Sequence, residues 1–251
     1  MLKSITGADM KVRHWIYFIA GFLVFWLILS CLINNIYILP SPFMVIEIMI
    51  KLLFVTSFYS SVFMSVFRAV LSVIVSFIVA VLVAIISLRN HFISSLLEKT
   101  ILILRSIPNV TYVILLLFWV SRETMVFIVS FLLLFPIIYQ NIFESLKEQE
   151  NLWHDVLMIY PQSMYVTVTR IYIPLMKSAV VSSLISASSL AFKVGVMAEI
   201  LGQVQTGIGR QIQLARLDID LASVMAWTIW LILIVFVFDA LIKKLLHLIT
   251  R

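Results

Sequence analysis

Charge is scarce in this chain. Only 12% of its 251 residues are Asp, Glu, Lys or Arg, while 63% are hydrophobic. Soluble domains carry about a quarter charged and about half apolar residues, so a water-soluble globular fold is excluded. Cysteine is rarer still. Cys31 stands alone, which rules out an intrachain disulfide. Ile28-Leu29-Ser30-Cys31 faintly resembles a lipoprotein cleavage site, but apolar sequence resumes soon after it, and the segment reads as an uncleaved span. Catalytic constellations are missing too. His14, His91, His154 and His247 are scattered near span ends without metal-ligand spacing, and no Gly-x-Ser-x-Gly elbow occurs. Gly202 to Arg210 (GQVQTGIGR) superficially echoes a phosphate loop. It lacks the Lys-Ser/Thr that would reach phosphate and magnesium, and it follows no strand. It reads as an outer loop, so ATP hydrolysis is expected on a separate subunit, and no metal or cofactor is expected on this chain.

What is present is a series of apolar runs, each long enough to cross a hydrocarbon core of about 30 Å as a helix. The expectation is an all-α, polytopic membrane protein, residues 1–251 forming a single transmembrane domain. The spans are about Trp15 to Ile33, Ser60 to Leu88, Leu96 to Val120, Met125 to Gln140, Leu175 to Leu201 and Ala222 to Leu246. Leu39-Pro40-Ser41-Pro42 breaks the helix after the first span, since proline lacks an amide donor and restricts its predecessor. Phe43 to Phe58, with Glu47 and Lys51, reads as a short amphipathic helix on the outer surface.

Basic residues set the orientation. Lys3, Lys11, Arg13, Arg89, Lys99, Lys147, Arg170, Lys177, Lys243, Lys244 and Arg251 fall on one side of the proposed spans. Lys51, Arg122, Arg210 and Arg216 fall on the other. Positive charge is retained in the cytoplasm, so both termini are expected inside, with the polar segment 141–174 on the same side. The same cause accounts for the net +6: no basic patch is interleaved with aromatics, so nucleic acid is not an expected partner.

Five charged residues fall within spans, namely Arg68, Arg105, Lys193, Glu199 and Asp239. Such charges face protein or water and serve either function or pairing. Two readings stand side by side. Arg105 and Lys193 would bias a pathway toward anionic or strongly polar solutes, or Arg68 or Lys193 would pair structurally with Glu199. Small residues recur four apart at Ser72, Ser76, Ala80 and Ala84, and at Ala179, Ser183, Ala187, Ala191 and Gly195. They permit close helix approach, within the chain or to another. The fifth span holds further hydroxyls, Ser182 and Ser186 among them, which a wall facing a polar pathway would explain.

The segment Asp155 to Pro174 has a distinctive spacing. Asp-Val-Leu is followed by three residues, Pro161, nine residues and Ile171-Tyr172-Ile173-Pro174. It resembles the cytoplasmic signature of bacterial ABC importer permeases, Glu-Ala-Ala, three residues, Gly, nine residues, Ile-x-Leu-Pro. Ile171 and Pro174 are retained; Asp155 stands for Glu, Val156 and Leu157 for the two Ala, Pro161 for Gly and Ile173 for Leu. Leu39-Pro40-Ser41-Pro42, Ser65-Val66-Phe67-Arg68 and Leu104-Arg105-Ser106-Ile107-Pro108 resemble further stretches of the nitrate, taurine and aliphatic sulfonate branch. So do Phe192-Lys193 with Ala198-Glu199, then Gly207-Ile208-Gly209 and Asp239.

The resemblance implies a type I ABC importer permease fold with six membrane helices in a bacterial inner membrane. It implies a coupling helix-turn-helix that docks on a separate ATPase, where ATP and magnesium are bound. The candidate residues of that coupling loop are Asp155, Met158, Ile159, Tyr160, Pro161, Ser163, Met164, Tyr165, Ile171 and Pro174. Arg105, Ser182, Ser186, Lys193 and Glu199 are the candidate pathway residues. The implied partners are two ATPase subunits, a second permease copy or a sister permease, an extracellular solute-binding protein and the lipid bilayer. Pro161 can start the second short helix, as proline is welcome at a first helical position. The alternatives from other classes are a membrane-embedded enzyme and a substrate-capture membrane subunit without gating.

Overall fold

A computed structural model of the chain describes residues 2–160, 162–163 and 166–250. Pro161, Met164 and Tyr165 lie outside the described residues. Every regular element among the described residues is helical, as lipid demands of a backbone that must satisfy its own polar groups. In order come α1 (Leu2–Ile33), α2 (Pro42–Leu52), α3 (Thr56–Arg89), α4 (His91–Ser106), α5 (Asn109–Leu116) and α6 (Arg122–Ile159). A π-helical segment (Thr167–Tyr172) and one helical turn (Ile173–Leu175) lead into α7 (Lys177–Gly202), α8 (Ile208–Leu217) and α9 (Leu221–Thr250). Thr56–Arg89, Arg122–Trp153, Lys177–Gly202 and Leu221–Lys244 are long and apolar enough to span a membrane. The chain is a multi-pass helical membrane protein. Where six spans are expected, four straight ones are present among the described residues, and up to five if α4 and α5 form one broken span.

The chain forms two compact units, residues 1–59 with 211–231 and residues 60–210 with 232–251. In the first, α2 is started by Ser41, whose hydroxyl accepts the Met44 amide, with Pro42 at the first helical position. Val45, Ala222 and Ala226 form its buried centre. The Trp230 indole donates to the Met49 carbonyl at 3.2 Å, and Phe58 packs edge-on to the same ring at 5.1 Å. Trp26 closes the proline break by donating to the Pro40 carbonyl at 3.0 Å.

In the second unit α6 and α7 are the central pair. Met125, Val126 and Val129 of α6 meet Val194 and Ala198 of α7, with Tyr112 and Val113 of α5 against them. Ser72, Ser76, Ala80, Ala84, Ser183, Ala187 and Ala191 are all fully buried, so both small-residue stripes are spent on packing within the chain.

The third expected span is sharply broken. α4 and α5 meet at 91° across Ser106–Pro108. Pro108 has no amide to give the Leu104 carbonyl, and the Tyr112 hydroxyl donates to that carbonyl instead, at 2.7 Å. α6 is longer than its apolar run. It passes through Gln140 and runs on to Ile159, 38 residues in all, stopping just ahead of Pro161. Its interior holds one proline, Pro136, which is buried.

Candidate functional site

A buried charge network joins α3, α6 and α7 to the loop after α7. Arg68 and Glu199 pair at 2.7 Å, with side chains 8% and 1% exposed. The other guanidinium nitrogen meets Glu123, in the first turn of α6, whose side chain is 41% exposed. Arg68 also donates to the Thr206 carbonyl at 2.7 Å. The Ser65 hydroxyl lies 2.8 Å from the Glu199 carboxylate and accepts the Ile208 amide at 2.8 Å. The Gly209 amide donates to Glu199 at 2.9 Å. Glu123 accepts the Gln205 amide at 3.0 Å, and Arg122 donates to the Gln203 carbonyl at 3.1 Å.

Removing an ion pair from water costs several kcal/mol per charge unless hydrogen bonds fill the remaining positions. Here they are filled from α3, α6, α7, the loop over residues 203–207 and the first-turn amides of Ile208 and Gly209 in α8. The loop is shaped for it: Gln203 ends α7 in the left-handed region (φ 52°), and Gly207 has φ 144°. The stretch read as an outer loop over Gly202 to Arg210 thus narrows to residues 203–207, with helix on either side.

Among the pathway candidates, Glu199 is enclosed by this network with Arg68 as its partner. Lys193 is on another face of α7, because six residues place it about 120° around the helix from Glu199. Lys193, Ser182 and Ser186 are all exposed, and they fall within about 40° of each other on one side of α7. Ser189, on the same side, donates to Asp239 of α9 at 2.6 Å. Arg105 is exposed in the last turn of α4, just before the break.

The coupling candidates are distributed over two elements. Asp155, Met158 and Ile159 belong to the last two turns of α6, with Tyr160 as its cap residue, and form no separate short helix. Met158, Ile159 and Tyr160 are each about 70% exposed (71%, 71% and 69%), and Leu152 beside them is 67% exposed. Ser163 lies ahead of the π-helical segment, its carbonyl accepting the Thr167 amide at 3.0 Å. Ile171 lies in that segment and Pro174 in the turn after it. Tyr172, buried beside them, has its phenol pushed above the usual range by burial and then by the Glu150 carboxylate.

Glu123 and Ser65 are the members sequence reading did not single out as site residues. Ser65 was signalled by its stretch with Arg68. Glu123 looks like an ordinary acidic residue favouring a helix start, capped by Ser121. Comparison with protein-family models and with curated proteins gives no match.

Proposed function

We propose that this chain is the membrane-spanning permease subunit of a bacterial ABC importer. It would lie in the inner membrane with six spans and both termini in the cytoplasm. The observation that carries the reading is α6. Its 38 residues extend about 57 Å, well beyond a hydrocarbon core of about 30 Å. The end that protrudes is apolar and exposed at Leu152, Met158, Ile159 and Tyr160. A helix end of that kind fits a groove on a partner. A partner that hydrolyses ATP would move the membrane body through it, since this chain has no phosphate-binding loop.

The exposed side of α7 supports the same reading. Hydroxyls and an ammonium facing hydrocarbon are costly, so Ser182, Ser186 and Lys193 fit the wall of a water-filled path enclosed with a second permease chain. Such a path suits a small polar or anionic solute delivered by an extracellular binding protein. Arg68, Glu123 and Glu199 would close the other end of the second unit.

The test is purification of the tagged chain from its native membranes, with mass spectrometry and ATP hydrolysis as readouts. The wild-type chain is expected to bring an ATPase with it. Met158→Glu with Ile159→Glu should lower that recovery at least tenfold without changing the unfolding temperature. Purification without any ATPase, or full recovery with the double variant, overturns the proposal.

A further inference from the structure

A groove of about 460 Å³ lies between α3, α7 and α9 in the second unit. Val73 and Ile74 of α3, Leu184 and Ser188 of α7, and Phe238 and Leu241 of α9 are among its walls. All six belong to helices long and apolar enough to span a membrane, so the groove meets hydrocarbon rather than water. Val73 and Ser188 are 7% and 1% exposed and form its floor, while Ile74 and Leu241 stand at its rim, 49% and 60% exposed. The Ser188 hydroxyl donates to the Leu184 carbonyl at 2.6 Å, which satisfies the polar side chain of the lining. Phe238 is held edge-on to Phe192 at 4.9 Å, and Phe192 is itself fully buried. That wall is fixed before anything enters.

One end of the groove is basic. Phe192 meets Phe238 and Ser189 meets Asp239, so α7 and α9 run in opposite directions. The start of α7 therefore lies on the same side of the membrane as the end of the apolar run of α9. Lys177 opens the first of these spans and Lys244 closes the second, and both are exposed. At 100° per residue, Lys177 falls within about 20° of Leu184 and of Ser188, on the groove side of α7. Lys244, one turn past Leu241, lies about 60° from it. Neither lysine pairs with an acidic residue among the described residues. Lysine stems lie along apolar surface and carry their charge to the headgroup level, where it attracts anionic lipid. At about 30 Å³ per methylene-sized group the groove holds about fifteen of them, the size of one acyl chain. We propose that the α3–α7–α9 groove binds an anionic phospholipid, one acyl chain in the groove and its phosphate between Lys177 and Lys244. The Ser182, Ser186 and Lys193 side of α7 is centred about 160° round the helix from this face. The site is thus separate from the proposed path, and it requires only that the chain span a membrane.

The experiment is native mass spectrometry of the purified full chain, stripped of lipid in detergent. It is titrated with phosphatidylglycerol or with phosphatidylcholine carrying the same acyl chains. One phosphatidylglycerol should bind saturably, about tenfold tighter than phosphatidylcholine. Lys177→Gln with Lys244→Gln should abolish that preference. Lys99→Gln with Lys147→Gln removes equal charge from exposed positions of α4 and α6 and should keep it. Ile74→Trp fills the groove from its rim and should weaken both lipids by about fivefold or more. Inorganic phosphate should not compete. Equal binding of the two lipids, or a preference lost as much in the Lys99 and Lys147 control, overturns the proposal. So does undiminished binding in Ile74→Trp, competition by phosphate, or a dimer that Ile74→Trp dissolves, which would make a second copy the occupant.

Discussion

A methyl group on Gly207 would sit 2.6 Å from a carboxylate oxygen of Glu199. Gly207 also has φ 144°, a conformation that side-chain-bearing residues rarely adopt. Both constraints favour glycine at the point where the loop closes over the buried acid. Gly207→Ala is therefore expected to destabilise the protein by about 2–3 kcal/mol. Gly21→Ala is the control: nothing lies within 4 Å of its added carbon, and alanine favours a helix. Thermal unfolding in detergent should show a clear drop for the first and none for the second.

Arg68 and Glu199 should prove strongly interdependent. Removing either alone leaves the other buried and uncompensated, which costs about 3–5 kcal/mol. Glu199→Ala and Arg68→Ala together should cost less than the sum of the two, by about 1 kcal/mol or more. Glu123→Gln should cost under about 1 kcal/mol, because water screens its half-exposed pair. A double-mutant cycle on chemical unfolding measures all three. Strict additivity of Arg68 and Glu199 would contradict the network.

The bend between α4 and α5 makes its own prediction. Tyr112→Phe leaves the Leu104 carbonyl without a donor and should cost about 1–3 kcal/mol. In a Pro108→Ala background, residue 108 regains an amide that can serve that carbonyl. The cost of Tyr112→Phe should then shrink. An equal cost in both backgrounds would mean that Tyr112 acts by packing alone.

Orientation is open to labelling. Cys31 is exposed, so it is first replaced by serine. A cysteine at Tyr160 is then expected to react only with reagent supplied from the cytoplasmic side. A cysteine at Arg216 should react only from the outside. Reaction of residue 160 from outside reverses the topology and removes the basis for the coupling proposal.

The helical class was legible because long apolar runs in a charge-poor chain leave the backbone one way to satisfy itself in lipid. Boundaries were harder. The polar stretch after Gln140 reads as a loop, yet Glu, Leu, Lys and Gln are good helix formers, and polarity alone does not end a helix. The Pro108 break was visible as a freed carbonyl, but its 91° angle and its Tyr112 partner belong to tertiary packing. The choice between a pathway role and a paired role for Glu199 could not be made from spacing, since Arg68 is 131 residues away. Gly207 and Gly209 of GQVQTGIGR, inert as a phosphate loop, acquire a purpose only once the Glu199 carboxylate beneath them is placed.

Pro136 gives α6 one soft point along an otherwise continuous rod. It divides the helix into arms of about 20 and 35 Å. With the shorter arm held in place, a bend of about 10° there swings the longer arm's tip by about 6 Å. The arm that carries Glu123 is packed through Met125, Val126 and Val129 against Val194 and Ala198, so flexure at Pro136 falls to the Ile159 arm and leaves the Glu123–Arg68 contact in place.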